Sequence, residues 1–325
     1  MRIFYYFSLF ILYCFLISSL IFFFSYYSII NEKIYKNRFI NAIQKSIYFK
    51  GGYRNIWQNK KECVNFDNRL LYVPKIGTCN FKNLEFDTKL TFDEISRVNQ
   101  SYSKLQNKQN NAIAVLGDSL AMGWGVNDDE TYSAILEKNI NKKVFNQGVS
   151  SYGTIRQVKK FKISGIDDKI ETVIVHYNLN DLDENQKLDI NKLYKNESSN
   201  LIFETQDMNM KWLLRQWKRS FRVVFNEIKK LLPNNNLSKI KVNLNIHLQK
   251  AEDILYKNLN LKNKRVIILF IQEPNMILTN QLKKSSRKNI EYLIIKLDKK
   301  NFFIIDDHIN KFGHQEVAKR VEDIL

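Results

Sequence analysis

The stretch AIAVLGDSLAMGWGV, residues 112–126, decides how this chain is read. Ala112 to Leu116 are five apolar residues in a row, the pattern of a strand buried on both faces. Gly117-Asp118-Ser119 then breaks the run, and the residues after Ser119 turn helical. Gly117 permits a tight exit from the strand. Ser119 therefore stands at the edge of a sheet, near backbone N–H groups whose dipoles favour negative charge. A serine in this place usually caps a helix. To act as a nucleophile it needs a base within hydrogen-bond reach and donors for a developing oxyanion.

Working outward, short apolar runs recur at 144–146, 172–177, 266–271 and 302–305, with helix candidates at 130–138, 154–163 and 247–260 between them. This alternation predicts an α/β fold with a central parallel sheet covered on both faces, and chemistry at the carboxyl ends of its strands. Polar features follow three of these runs. FNQGVSSYGT (145–154) puts Gly148 in a turn, VIVHYNLNDLDEN (173–185) puts Asn180 and Asp181 just past a strand, and IIDDHINKFGHQEVAKRV (304–321) puts His308 after the last run.

Taken in order, these blocks resemble the SGNH hydrolases, the GDSL esterase/lipase family, over roughly 111–182 and 265–322. The resemblance implies a three-layer α/β/α, flavodoxin-like domain. It also implies that Ser119 is the nucleophile and an oxyanion donor, that the Gly148 N–H and the Asn180 amide are the other donors, and that His308 is the general base. Acyl transfer by this machinery requires neither metal nor organic cofactor. Two departures stand out. Asn178 occupies the usual glycine position of the third block, and Ile305 stands where the orienting aspartate is usual, three residues before His308. Asp306, two residues before His308, is the expected orienting acid, with Asp307 facing solvent. His176 is read as packed or surface-exposed, His247 as opening no motif, His314 as a capping or packing residue, and Asp118 and Asp181 as loop hydrogen-bonders.

Residues 1–30 form a separate unit. IFYYFSLFILYCFLISSLIFFFSYYSII (3–30) carries no charge and is long enough to cross about 30 Å of hydrocarbon. Its length and its aromatic end favour an uncleaved single-pass transmembrane anchor over a signal peptide. Lys33, Lys36, Arg38 and Lys45 follow the span, which by the positive-inside rule alone would keep the rest in the cytoplasm. Cys63 and Cys79 pull the other way: they are either two unpaired thiols or, in the favoured reading, a local disulfide, and if the bridge forms the domain lies in an oxidising, extracytoplasmic (periplasmic) space. Cys14 is an apolar filler within the span.

Residues 31–110 read as a polar connecting or accessory region, and 111–325 as the hydrolase domain with an insertion at about 183–245. Within that insertion, Leu213, Trp217, Phe221, Val224, Ile228 and Leu231 line one face of a basic amphipathic helix. Packing on the domain is its favoured reading, ahead of a membrane-surface helix or a lid over Ser119. The net charge of +18 is spread along the whole chain of 325 residues, with no nucleic-acid module. The expected partners are the membrane and an acylated carbohydrate or lipid substrate. The expected activity is hydrolysis of an acetyl or short acyl ester. An O-acetyltransferase with the same residues, or a non-catalytic membrane-tethered binding protein on the same fold, is the alternative.

Overall fold

A computed structural model describes residues 2–50, 52–99, 111–187, 210–229 and 240–325. The chain opens with α1 (Arg2–Ile30) and α2 (Arg38–Lys50). Two antiparallel hairpins follow, β1 (Val64–Asp67) with β2 (Leu71–Pro74), and β3 (Gly77–Asn83) with β4 (Phe86–Phe92). The α/β part then runs β5 (Ala112–Gly117), α3 (Ser119–Met122), α4 (Tyr132–Ile140), β6 (Val144–Asn146), α5 (Thr154–Ser164), β7 (Ile170–Tyr177) and α6 (Asp181–Lys187). It continues through α7 (Met210–Lys229), β8 (Ile240–Val242), α8 (Leu244–Asn258), β9 (Arg265–Gln272), β10 (Met276–Leu278), β11 (Ile290–Lys296) and α9 (Lys311–Glu322).

Five of these strands form one parallel sheet in the order β11-β9-β7-β5-β6. Numbered by appearance within the sheet this is 2-1-3-4-5, the flavodoxin-like order. The sequence explains the three layers directly. Ala112, Ala114 and Leu116 of β5 join Val173 and Val175 of β7 and Val266, Ile268 and Phe270 of β9 in a core closed by Val158 and Phe161 of α5 and Leu248 and Leu255 of α8. Ile113 and Val115, with Ile174, Ile267 and Leu269, face the opposite core under Leu136 of α4 and Val317 and Val321 of α9. Strand alternation thus sends successive residues into two separate cores, so a continuous apolar run is what the sheet requires.

The fifth strand is not where the apolar run at 302–305 placed it. β11 pairs with β9 over seven residues, whereas Phe302 makes a single isolated bridge to Ile309. β11 is an edge strand with Glu291 and Lys296 exposed, which dilutes its apolar signal. Residues 303–307 instead form the loop that carries the acid of the site.

Residues 31–99 hold more structure than their polarity announced. Trp57, Leu70, Tyr72, Phe81, Leu90 and Phe92 form a core that continues into Met122, Trp124, Val149 and Tyr152 of the α/β part. Cys63 and Cys79 are disulfide-bonded across the two hairpins, with a Cα–Cα distance of 5.3 Å. α1 is long and apolar enough to cross a membrane, with a mean hydropathy of 2.5 over an 18-residue window within Phe4–Ile30. α7 packs on α1 and α2 rather than over Ser119: Trp217 Nε1 donates to Ser19 Oγ at 3.1 Å, and Phe221 stacks on Phe15. Of its expected apolar face, the side chains of Leu213 and Ile228, and Leu231 altogether, lie outside the described residues.

The disulfide closes a loop of sequence separation 16. Replacing both cysteines by alanine is expected to remove about 3 kcal/mol of stability, read as a lower melting temperature of the full chain in detergent. Reductant is expected to lower the melting temperature of the native chain but not of the double variant.

Candidate active site

β5 delivers Ser119 by a turn with no room for side chains. A Cβ on Gly117 would lie 2.5 Å from Ala121 Cβ and 3.0 Å from His176 Cβ. Asp118 then caps the short helix, accepting from Leu120 N–H at 2.9 Å, while its other oxygen accepts from Asn178 Nδ2 at 3.0 Å. Asn178 therefore braces the loop that carries Ser119. Desolvation by burial raises the Asp118 carboxyl above its ordinary range, opposed by these hydrogen bonds. Below α3, the fully buried Arg97 donates to the carbonyls of Met122, Gly123 and Val126 and pairs with Asp128 at 2.8 Å. No sequence motif pointed to Arg97.

His308 Nε2 lies 2.7 Å from Ser119 Oγ, and His308 Nδ1 lies 2.6 Å from Asp306 Oδ1. With Nδ1–H given to the carboxylate, Nε2 faces the serine with its lone pair. Trp124 stacks flat on the imidazole, ring centroids 4.7 Å apart, and donates its indole N–H to Asp306 Oδ2. Tyr48 O–H donates to the same oxygen at 2.7 Å. Glu85 accepts the backbone N–H groups of Ile304, Ile305 and Asp306 and so holds the acid loop from beneath. Asp307 is mostly exposed, as expected, yet its Oδ1 lies 3.1 Å from His308 Nδ1 and accepts from Arg54 at 2.8 Å.

The electrostatics follow from these contacts. Burial works against the charged imidazole, but Asp306 and Asp307 outweigh it, and the His308 pKa is pushed up to about 9. Burial also opposes the Asp306 charge, yet His308, Arg54 and Tyr48 hold it well below the usual carboxylate range. Asp306, Asp307 and His308 are near enough together to ligate a cation, but the Arg54 guanidinium already supplies positive charge among them.

Ser119, His308, Asn180, Asn178 and Glu273 line one cavity of about 410 Å³ at the carboxyl ends of β5, β7 and β9. Gly148 does not line it. Its N–H donates to Asn146 Oδ1 at 3.1 Å, and it borders a different cavity beside Lys160 and Ile163. A Cβ there would meet Met122 N at 2.3 Å, so Gly148 is a glycine of close approach between the loop after β6 and α3. The members of that loop lining the cavity with Ser119 are Ser150 and Ser151, the latter left-handed at φ +62°. The SSYG sequence, a turn signal, was the only hint of this.

The other histidines pack. His176 is buried on β7 and burial pushes its pKa down to about 3; His247 contacts Tyr177 O–H; His314 Nδ1 accepts from Tyr132 N–H. Asp181 accepts from Thr154 and Gln157 and does not line the cavity of Ser119.

No protein-family model matches this chain, and no curated protein matches it. Solved structures similar to it include a protein described as lipolytic and of the G-D-S-L family from Desulfitobacterium hafniense (13 % identity, TM-score 0.37, covering 66 % of this chain and 100 % of that one). A psychrotrophic esterase, EstA, from Pseudoalteromonas is similar over 66 % of this chain and 96 % of its own, at 9 % identity and TM-score 0.32. An acetyl xylan esterase, Est2A, from Butyrivibrio proteoclasticus is similar over 66 % of this chain and 62 % of its own, at 12 % identity and TM-score 0.30.

Two outcomes are expected from this geometry. Arg97→Leu removes one side of the buried Arg97–Asp128 pair and the three carbonyl contacts of Arg97, and is expected to cost about 3–5 kcal/mol, measurable by thermal unfolding. A fluorophosphonate forms one adduct, located on Ser119 by peptide mass spectrometry. Only neutral imidazole accepts the serine proton, so the labelling rate climbs with pH up to about 9 and then levels off.

Proposed function

We propose that this chain is a membrane-anchored serine esterase of the SGNH type, acting on an acetyl or short acyl ester of a carbohydrate. The observation that carries the reading is the hydrogen-bonded series Ser119 Oγ, His308, Asp306, with contacts of 2.7 and 2.6 Å. In this reading His308 Nε2 takes the proton of Ser119 as Oγ attacks the ester carbonyl, and Asp306 stabilises the imidazolium that forms. The Ser119 N–H and the Asn180 side-chain amide meet the developing oxyanion, with the Ser150–Ser151 turn in the role first assigned to Gly148. His308 returns its proton to the departing sugar oxygen, and water, deprotonated by the same imidazole, then releases the acid.

The lining of the cavity supports a hydroxylated substrate. Gln58, Asn178, Asn180 and Glu273 offer donors and acceptors around the serine, beside an apolar lining that includes Leu120, Leu179, Ile271 and Met276, against which an acyl group can pack. The apolar α1 supports anchoring, and the Cys63–Cys79 bridge supports an extracytoplasmic domain. In this reading residues 1–30 are the anchor, 31–110 an accessory layer, and 111–325 the hydrolase unit.

The test is hydrolysis of p-nitrophenyl acetate, butyrate and octanoate by the full chain in detergent. The expected result is a preference for acetate, with kcat/KM lowered by about 10⁴-fold or more in Ser119→Ala and His308→Ala, and by about 10²–10⁴-fold in Asp306→Asn. Equal rates in the native chain and Ser119→Ala would overturn the reading. A serine that takes the phosphonate but releases no acid from any ester would direct the acyl group to an alcohol acceptor, as in an O-acetyltransferase.

A further inference from the structure

Arg54 lies outside every motif of the sequence, yet it is central to the site. Its Nη2 donates to Asp307 Oδ1 at 2.8 Å, lies 3.4 Å from Asp306 Oδ1, and is 3.0 Å from His308 Nδ1. The guanidinium lies over the rings of Trp124 and Phe49, 4.8 Å from each centroid, and its side chain is only 16 % exposed. It is thus stacked in place rather than trailing in solvent. Asp307, by contrast, is 62 % exposed on its side chain and has no packing reason to turn inward. A second carboxylate beside an imidazole favours the protonated ring, and a guanidinium beside it opposes that effect.

We propose that Arg54 is a positioning residue of this site, which by bridging Asp306 and Asp307 holds the acid loop and sets the net charge felt by the His308 ring. The proposal deepens the esterase reading, because it assigns the tuning of the base to the segment between α2 and β1 rather than to the sheet. Other titratable groups also face His308. Asp118 lies at the end of β5, Glu273 at the end of β9, and His314 on α9, each in electrostatic contact with the ring. Tyr48 and Glu85 act on it only through the acid loop. Of these, Arg54 is the one cation in hydrogen-bond range of both carboxylates flanking the ring, among the described residues.

The balance gives opposite signs for two substitutions. Arg54→Gln removes positive charge, so the imidazolium is stabilised and the His308 midpoint rises. Asp307→Asn removes negative charge, so the midpoint falls. Each shift is expected to be about one pH unit. Arg54→Lys keeps the charge but not the two-carboxylate bridge, and is expected to stay near the native midpoint while lowering kcat.

The experiment is an NMR titration of the full chain in detergent, labelled with ¹⁵N-histidine, whose four histidines are resolved by using His308→Gln to assign the signal. Midpoints moving in opposite directions in Arg54→Gln and Asp307→Asn support the proposal. Unmoved midpoints, or a shift in the same direction in both, overturn it, since simple loosening of the loop would act alike. Should Arg54→Gln fail to fold, the exposed Asp307→Asn and the Arg54→Lys variant carry the test. The titration needs no turnover. Opposed shifts in a protein without esterase activity would reject the esterase reading alone, and unmoved midpoints in an active enzyme would reject the role of Arg54 alone.

Discussion

A buried carboxylate organises this molecule. The side chain of Asp306 is 1 % exposed, and a charge removed from water is tolerated only where hydrogen bonds and opposite charges replace its hydration. Those partners come from four parts of the chain: Tyr48 from α2, Arg54 from the segment after it, Trp124 from the loop after α3, and His308 from the acid's own loop. Every element that touches Asp306 is thereby fixed relative to Ser119. The accessory layer is accordingly part of the site and not a spacer between it and the apolar helix.

The sheet explains why the polar groups meet at all. All five strands run parallel, so the loops following β5, β6, β7 and β9 leave the same edge. Two dry cores, one on each face, leave that edge as the place where unpaired backbone N–H groups and polar side chains can gather without being buried in an apolar layer. The aromatic layer of Trp57, Phe81, Phe86 and Trp124 then walls one side of the edge, which shields the His308–Asp306 pair from water and strengthens the attraction between them.

What was legible in the sequence was whatever local pattern alone specifies. β5, β6, β7 and β9 are buried on both faces, so their apolar runs stood out, and Ser119, Asn180, Asp306 and His308 follow strands or lie in short polar blocks that turn chemistry makes conspicuous. β11 escapes notice because an edge strand is half solvated, and the run at 302–305 imitates it because Ile305 is buried within the acid loop rather than in a sheet. Sequence gives no sign that Gly148 lies off the cavity of Ser119, because a glycine needed for close backbone approach and one needed for an exposed N–H look identical there; the backbone of Met122, 26 residues upstream, is what closes on it. Tyr48, Arg54 and Glu85 were invisible for a related reason. They meet Asp306 across 258, 252 and 221 residues of chain, and no periodicity encodes such a contact.

α2 carries the final consequence of this arrangement. One part of it is tied to α1, where the buried Gln44 donates from Nε2 to Ser28 Oγ at 2.7 Å and Ile43 and Ile47 pack with Phe22 and Ile29. Tyr48, one turn further on, donates to the acid of the site. A helix is a stiff element, and the two contacts lie four residues apart, about 6 Å along its axis. The site is therefore held at a set distance and orientation from the end of the apolar helix, with no flexible linker between them. A molecule presented near that end of α1 is thus the one positioned to reach the cavity at Ser119, whereas a tether of disordered chain would have let the same cavity sample the whole surrounding space.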